Sequence, residues 1–251
     1  MARVLVAGES WTTTSVHTKG FDSFLTSTYV EGLADFRAGV EAAGHSVHHQ
    51  PCHEAAEHFP ASIAALDGYD VVVLSDIGSN TLLLPAATFL QGEPGINRLV
   101  TLRERVAAGG ALAMIGGYMS FQGIEGKANY RSTALADVLP VELEAADDRQ
   151  ETPEGAMITR TQTSHPITSE LESVWPPVLG FQRLVPKPEA VVLASVGHWP
   201  LLVVGSYGRG RVLAFASDIG PHWAPREFVD WDGYATLWGG AMTWLAGEDT
   251  G

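Results

Sequence analysis

The sequence predicts an α/β protein built on a mostly parallel sheet with helices on both faces. Two observations carry this. The strand-like segments Arg3–Ala7, Val71–Leu74 and Ala111–Ile115 are uniformly apolar rather than alternating, as strands buried on both faces are. Segments of helical period separate them, in the order β-α-β-α-β-α-β.

Arg3–Ala7 is a short run rich in branched residues, stopped by Gly8. Tyr29–Ala43 reads as a helix, with Val30, Leu33, Ala34, Phe36 and Val40 as its apolar positions and Gly44 as its stop. Ser46–His49 is a second short strand, and Ala61–Leu66 a short helix broken by Gly68. Val71–Leu74 is the clearest buried strand. Asn97–Ala108 is helical, with Leu99, Leu102 and Val106 on one face and Gly109-Gly110 at its end. Ala111–Ile115 follows, closed by Gly116-Gly117. Beyond Pro140 the texture changes. Asp147–Pro153 is a polar, acidic segment expected to form an exposed loop. Met157–Thr161, Val191–Val196, Leu201–Val204 and Arg211–Ala216 are strand-like, and Ser206–Gly210 reads as a hairpin turn. Trp231–Leu245 is a closing helix. With no repeat and no long linker, residues 1–251 are expected to form one domain.

The chain has 251 residues, 45% hydrophobic and 18% charged, enough apolar side chain for a buried core. Its net charge of −14 argues against nucleic acid and anionic membranes as partners. One cysteine, Cys52, excludes an internal disulfide framework and any cysteine-rich metal site. No apolar run approaches ~20 residues, so no transmembrane helix is expected. The N-terminus does not read as a signal peptide, which makes the cytoplasm the default compartment.

Right-handed crossovers bring the C-terminal ends of parallel strands to one edge, where ligands bind. That singles out Gly8–Asp22, Ser75–Leu84 and Gly116–Gly126. The first carries Glu9, Ser10 and Trp11 and runs on through a Ser- and Thr-rich stretch to Thr28, read as a lid or binding loop. The second offers Asp76, Ser79 and Asn80. The third has the outline of a strand–turn–helix nucleophile elbow with Tyr118 at its apex and Phe121 beyond; an ordinary βα turn fits the same residues. A fourth group, Asp218, His222 and Trp223, follows the last apolar strand. Asp218 and His222 could pair as a carboxylate–imidazole base, or act as a turn cap and a packed ring.

The histidines at 45, 48, 49, 53 and 58 suggest metal chemistry at first sight. His53 and His58 are five apart rather than four, and His48 and His49 point to opposite faces of a strand, so no metal is expected. No Gly-x-Gly-x-x-Gly or phosphate loop is present, and no nucleotide cofactor is expected. His165, before Pro166, could reach the site from the second half or start a turn. The tryptophan-rich terminal helix and the Leu82-Leu83-Leu84 run suggest a homo-oligomer.

Several blocks resemble the putative glutamine amidotransferase family, a branch of the class I glutamine amidotransferase-like superfamily related to the trehalose-utilisation proteins. They are Ser75–Leu84, Ile115–Ile124, Val138–Val141, Gly208–Phe215 and Ser217–Trp223. The resemblance implies a flavodoxin-like α/β fold, with hairpin elements added in the second half. The family's name implies a cysteine nucleophile at the elbow with a downstream His and Glu. Here the elbow holds Tyr118, and His222 is followed by Trp223 and Ala224. An acyl intermediate from glutamine needs a thiolate, so ammonia release is not expected. The expected alternatives are a cysteine-independent hydrolase, lyase or isomerase of a small, carbohydrate-related metabolite, or a silent binding or assembly module. Tyr118, His222 and Asp218 would be catalytic; Glu9, Ser10, Trp11, Asp76, Ser79, Asn80, Phe121 and Trp223 would bind substrate.

Overall fold

The computed structural model describes residues 1–220 and 222–248. Thirteen strands are formed among them: β1 Arg3–Gly8, β2 Ser10–Lys19, β3 Asp22–Glu31, β4 Ser46–Gln50, β5 Val71–Ser75, β6 Ala111–Ile115, β7 Val141–Glu142, β8 Arg149–Arg160, β9 Val174–Gln182, β10 Val185–Pro186, β11 Val191–Val196, β12 Trp199–Tyr207 and β13 Gly210–Phe215. Nine build one sheet in the order β4-β1-β5-β6-β13-β12-β11-β8-β9. The first five of these are parallel and the rest are joined antiparallel. Counting only the parallel strands, the spatial order is 2-1-3-4-5, the flavodoxin-like arrangement.

The apolar strands are buried for the reason the sequence suggested. Every residue of β5 and β6 is buried, and only Arg3 of β1 is exposed. The helices Ala34–Ala42 and Gly233–Leu245 pack on each other, while Cys52–His58, Ser79–Leu83 and Arg98–Ala107 form a separate packed group. Right-handed crossovers require this: β1 to β4 runs outward in one direction, and β4 to β5 to β6 returns in the other, so the two sets of helices take opposite faces.

Four expectations are corrected. The predicted helix Tyr29–Ala43 begins only at Ala34, because Tyr29, Val30 and Glu31 finish β3. The stretch to Thr28 is no loop: β2 and β3 pair without a register shift from Ser10↔Glu31 to Lys19↔Asp22. Its β-branched and aromatic residues favour a pleated strand, and Gly20 supplies the positive φ of 65° that a two-residue turn needs. β6 does not run directly into an α-helix, so Gly116–Ser120 is an irregular turn rather than a nucleophile elbow. Asp147–Pro153 is not a loop either: from Arg149 it is the start of β8, paired with β9. The terminal helix packs in the core, where Trp238 is fully buried, and Leu82 is enclosed as well.

Candidate functional site at the parallel strand ends

β1 and β5 are neighbours, yet the chain leaves them in opposite directions. That is the topological switch point, where an open α/β sheet leaves a crevice beyond its strand ends. Glu9 follows the last residue of β1 and Asp76 the last residue of β5. Both are non-glycine residues in the left-handed region, with φ of 49° and 43°; His222, at φ 123°, is a third. Such conformations cost ~1–3 kcal/mol each and persist where the surroundings impose them. The Glu9 amide donates to the Ser75 carbonyl at 3.0 Å, which pulls the chain across the end of β5. Gly8 must precede it: a Cβ there would stand 1.8 Å from the Ser75 carbonyl oxygen.

The site gathers three carboxylates and one imidazole. Glu9 is only 2% exposed and accepts a hydrogen bond from the Ser75 hydroxyl. Burial pushes its pKa well above the ordinary value, and the charges of Asp218 and Asp76 push the same way. Asp218 is equally buried and accepts from the amides of Ile219 at 2.7 Å and Gly220 at 3.3 Å. Burial raises its pKa, and the imidazole of His222, with Nδ1 3.7 Å from the carboxylate, opposes that rise. In return Asp218 raises the pKa of His222. Asp76 is pushed up to about 6 by burial and by Asp218, against the Met119 amide, which donates to it at 2.7 Å, and the charge of His222.

Aromatic rings wall the cluster. Trp11 lies 4.7 Å from His222 and Tyr118 5.9 Å, stacked on the imidazole; Tyr118 also meets Trp223 edge-on at 5.5 Å. The Arg149 guanidinium sits 4.8 Å over the Tyr118 ring, and the Trp223 indole N–H donates to Glu151 at 3.0 Å. Burial and Glu151 raise the phenol pKa of Tyr118, so it remains a neutral donor. A cavity of ≈ 330 Å³ opens here, lined by Tyr118, Glu151, Pro153, Leu179, His222 and Trp223. That volume is at the small end of the range for metabolite sites.

Glu9, Trp11, Asp76, Tyr118, Asp218, His222 and Trp223 are therefore drawn together. Four other candidates are not brought into this cluster. Ser10 is buried, and its hydroxyl accepts from the Cys52 amide at 2.7 Å, tying β2 to the helix Cys52–His58. Ser79 is buried with its amide bonded to the Ala128 carbonyl, and Asn80 is turned outward on the same short helix. Phe121, at 0% exposure and φ 53°, is turned into the core.

Residues not anticipated complete the arrangement. Arg149 and Glu151 come from β8, which sequence order does not place beside the site. The Ser120 hydroxyl accepts from the Asp76 amide at 3.0 Å. Cys52, at the start of the helix Cys52–His58, lies beside the cluster, its thiol 3.9 Å from the Asp76 carbonyl oxygen. Burial raises its pKa, so it is held as a neutral thiol. The histidines go to separate duties. His45 accepts from the Ala2 amide, His48 bonds Tyr69, and His49 Nε2 meets the Gly8 carbonyl at 2.8 Å. His165 packs edge-on against Trp244 of the closing helix. No group of three His, Cys, Asp or Glu able to hold a metal ion occurs among the described residues.

Residues 3–247 match the family described as Putative glutamine amidotransferase. Two solved structures share close to half the sequence. The protein STM1381 of Salmonella typhimurium LT2, described as cytoplasmic, is 43% identical at TM-score 0.93, over 97% of this chain and 99% of that one. STM3548 of Salmonella typhimurium, described likewise, is 42% identical at TM-score 0.93, over 96% and 98%. A ThuA-like protein of Parabacteroides merdae shares the fold at TM-score 0.59 and 12% identity, over 99% of this chain and 91% of that one. None of the curated proteins matches the chain.

Proposed function

The chain belongs to the putative glutamine amidotransferase family, and from that premise we propose that it handles a small hydroxylated metabolite by acid/base chemistry without a cysteine nucleophile. The observation that carries this is the Asp218–His222 pair, with Tyr118 beside the imidazole on the wall of one cavity and the Asp76 charge acting on the same imidazole. The Asp218 carboxylate, 3.7 Å from Nδ1, favours the protonated imidazole of His222, which exchanges a proton with the ligand through Nε2. Asp76, raised to about 6 and still below His222, is the complementary carboxylate that exchanges the proton with the ligand near neutral pH. The phenol of Tyr118 orients a ligand oxygen as a neutral donor. Carboxylates and imidazole accept from hydroxyl groups, and the rings of Trp11 and Tyr118 offer faces for C–H surfaces. The excess of acidic groups disfavours anionic ligands. A neutral, carbohydrate-related compound fits that chemistry, and the ThuA-like relationship is compatible with it. The two Salmonella relatives, described as cytoplasmic, support a cytoplasmic setting.

The reaction in the family's name is not proposed. Tyr118 stands at the turn after β6, and Cys52 is held protonated, away from the ionised form an acyl transfer requires. We expect no ammonia from glutamine. Release that survives Cys52→Ala would overturn the argument from Tyr118, and release lost in that variant would overturn the reading of Cys52.

The test of binding is thermal shift with two panels, neutral monosaccharides and polyols against sugar phosphates. The expected result is stabilisation by a neutral compound, lost in His222→Ala and Asp76→Asn. Stabilisation only by phosphorylated compounds, or stabilisation unaffected by both substitutions, contradicts the proposal. A neutral ligand that binds and is never converted returns the silent binding module.

A further inference from the structure

The β2–β3 hairpin projects from the site as an arm. From Thr12 to Val30 every residue is exposed, and the arm forms its own two-stranded sheet. A two-stranded hairpin is marginally stable alone in water. Ten paired positions span ~34 Å at ~3.4 Å per residue. Its outer edges carry few of the usual guards: no proline, no bulge, and no charge except Lys19 and Asp22 at the tip and Glu31 at the root. Phe21 at the turn is fully exposed, and Val16 and Leu25, directly opposite each other, are exposed at 70% and 66%.

A second apolar surface stands close by. Phe89 and Leu90 on the helix Ala86–Gln91, with Leu84 and Ile96 on its flanks, are exposed, and Glu93 is the one charged residue from Leu84 to Ile96. The helix Cys52–His58 links the two surfaces. Tyr29, on the same face of the arm as Val16 and Leu25, meets His53 at 5.4 Å, and Glu57 accepts from the Ala86 amide at 2.9 Å. Arm and patch thus lie on one side of the molecule, joined through one short helix.

We propose that the arm docks on the Phe89–Leu90 patch of a second copy of this chain, giving a two-fold dimer that seats Trp11 of each arm over its own site. Two uncovered apolar surfaces on one side are what a self-complementary interface needs, because each two-fold contact buries both at once. Charge points to the same occupant. The arm is neutral from Ser10 to Val30 within a chain of net charge −14, so it can approach an equally acidic copy without repulsion. An anionic membrane or nucleic acid gains nothing from such an arm. The dimer does not depend on the ligand chemistry proposed above. The arm reaches the site at its root, where Trp11 contacts His222.

The test is sedimentation velocity at micromolar concentration on the parent, on Val16→Glu/Leu25→Glu and on Phe89→Glu/Leu90→Glu. The parent is expected at twice 26.8 kDa and both variants at a single chain. All four side chains are exposed, so the fold of one chain does not depend on them; circular dichroism checks this, and the serine counterparts repeat the test without new charge. A single-chain mass for the parent, or the parent's mass in either double variant, overturns the proposal.

Discussion

Two stretches of this chain are rich in β-branched residues and form strands, and they end in opposite surroundings. Val71–Ser75 is buried from end to end between β1 and β6. Thr12–Lys19 has water on nearly every side chain. The contrast separates two decisions that are easily merged. Branched side chains favour the extended backbone in both places, whereas burial comes from the neighbours that the topology supplies. The buried strands supply rigidity, and the site is fixed to their ends. Glu9 is the residue between the two regimes, closing β1 and preceding β2, and its left-handed backbone marks the junction.

The largest expected effect lies in the buried half. Phe215→Ala, at a fully buried ring packed on Phe228 and Trp238, should cost about 3–5 kcal/mol in chemical denaturation. Phe24→Ala on the arm, measured in the Val16→Glu/Leu25→Glu background to remove association, should stay within about 0.5 kcal/mol. Equal costs for the two would break the comparison, since the arm would then be part of the fold of a single chain.

A second effect has the opposite sign. The pKa of Asp76 is about 6 in the folded protein against an ordinary 3.8, so the folded state holds that proton more tightly than the unfolded chain. Its charge therefore lowers stability, and the loss grows as pH rises from near 4 through 6. At ~1.4 kcal/mol per unit, the cost is at most about 3 kcal/mol above pH 7. Asp76→Asn keeps an oxygen for the Met119 amide and removes the charge. We expect it to stabilise the protein at pH 8, with the gain vanishing near pH 4, while ligand binding is lost. An Asn variant less stable than the parent at pH 8 would show that the carboxylate supports the fold rather than straining it.

The same contrast explains what was legible in the sequence. β1, β5 and β6 could be read because burial on both faces leaves an unbroken apolar run. Their order, with the rule that ligands sit beyond parallel strand ends, led to Glu9, Asp76 and Tyr118. The arm was misread because its Thr, Ser and Tyr residues lack the apolar run of a buried strand and resemble a loop. Arg149 and Glu151 were invisible for a different reason. β8 is placed by an antiparallel order, β11-β8-β9, that local pattern does not encode. Phe121 reads as a site residue by position, whereas the folded chain holds it at positive φ with its ring fully buried. Cys52 carries no site signal in the sequence, because only the fold sets its thiol 3.9 Å from the Asp76 carbonyl oxygen.

The central claim is that Asp76 is an acid tuned by burial and by Asp218 within a shared site. The most direct measurement is the titration of its carboxyl carbon by NMR in the intact protein, assigned with Asp76→Asn. The account predicts a midpoint about 6, moving down towards the ordinary range in Asp218→Asn, which removes the neighbouring charge. A midpoint near 3.8 that does not respond to Asp218→Asn would contradict it.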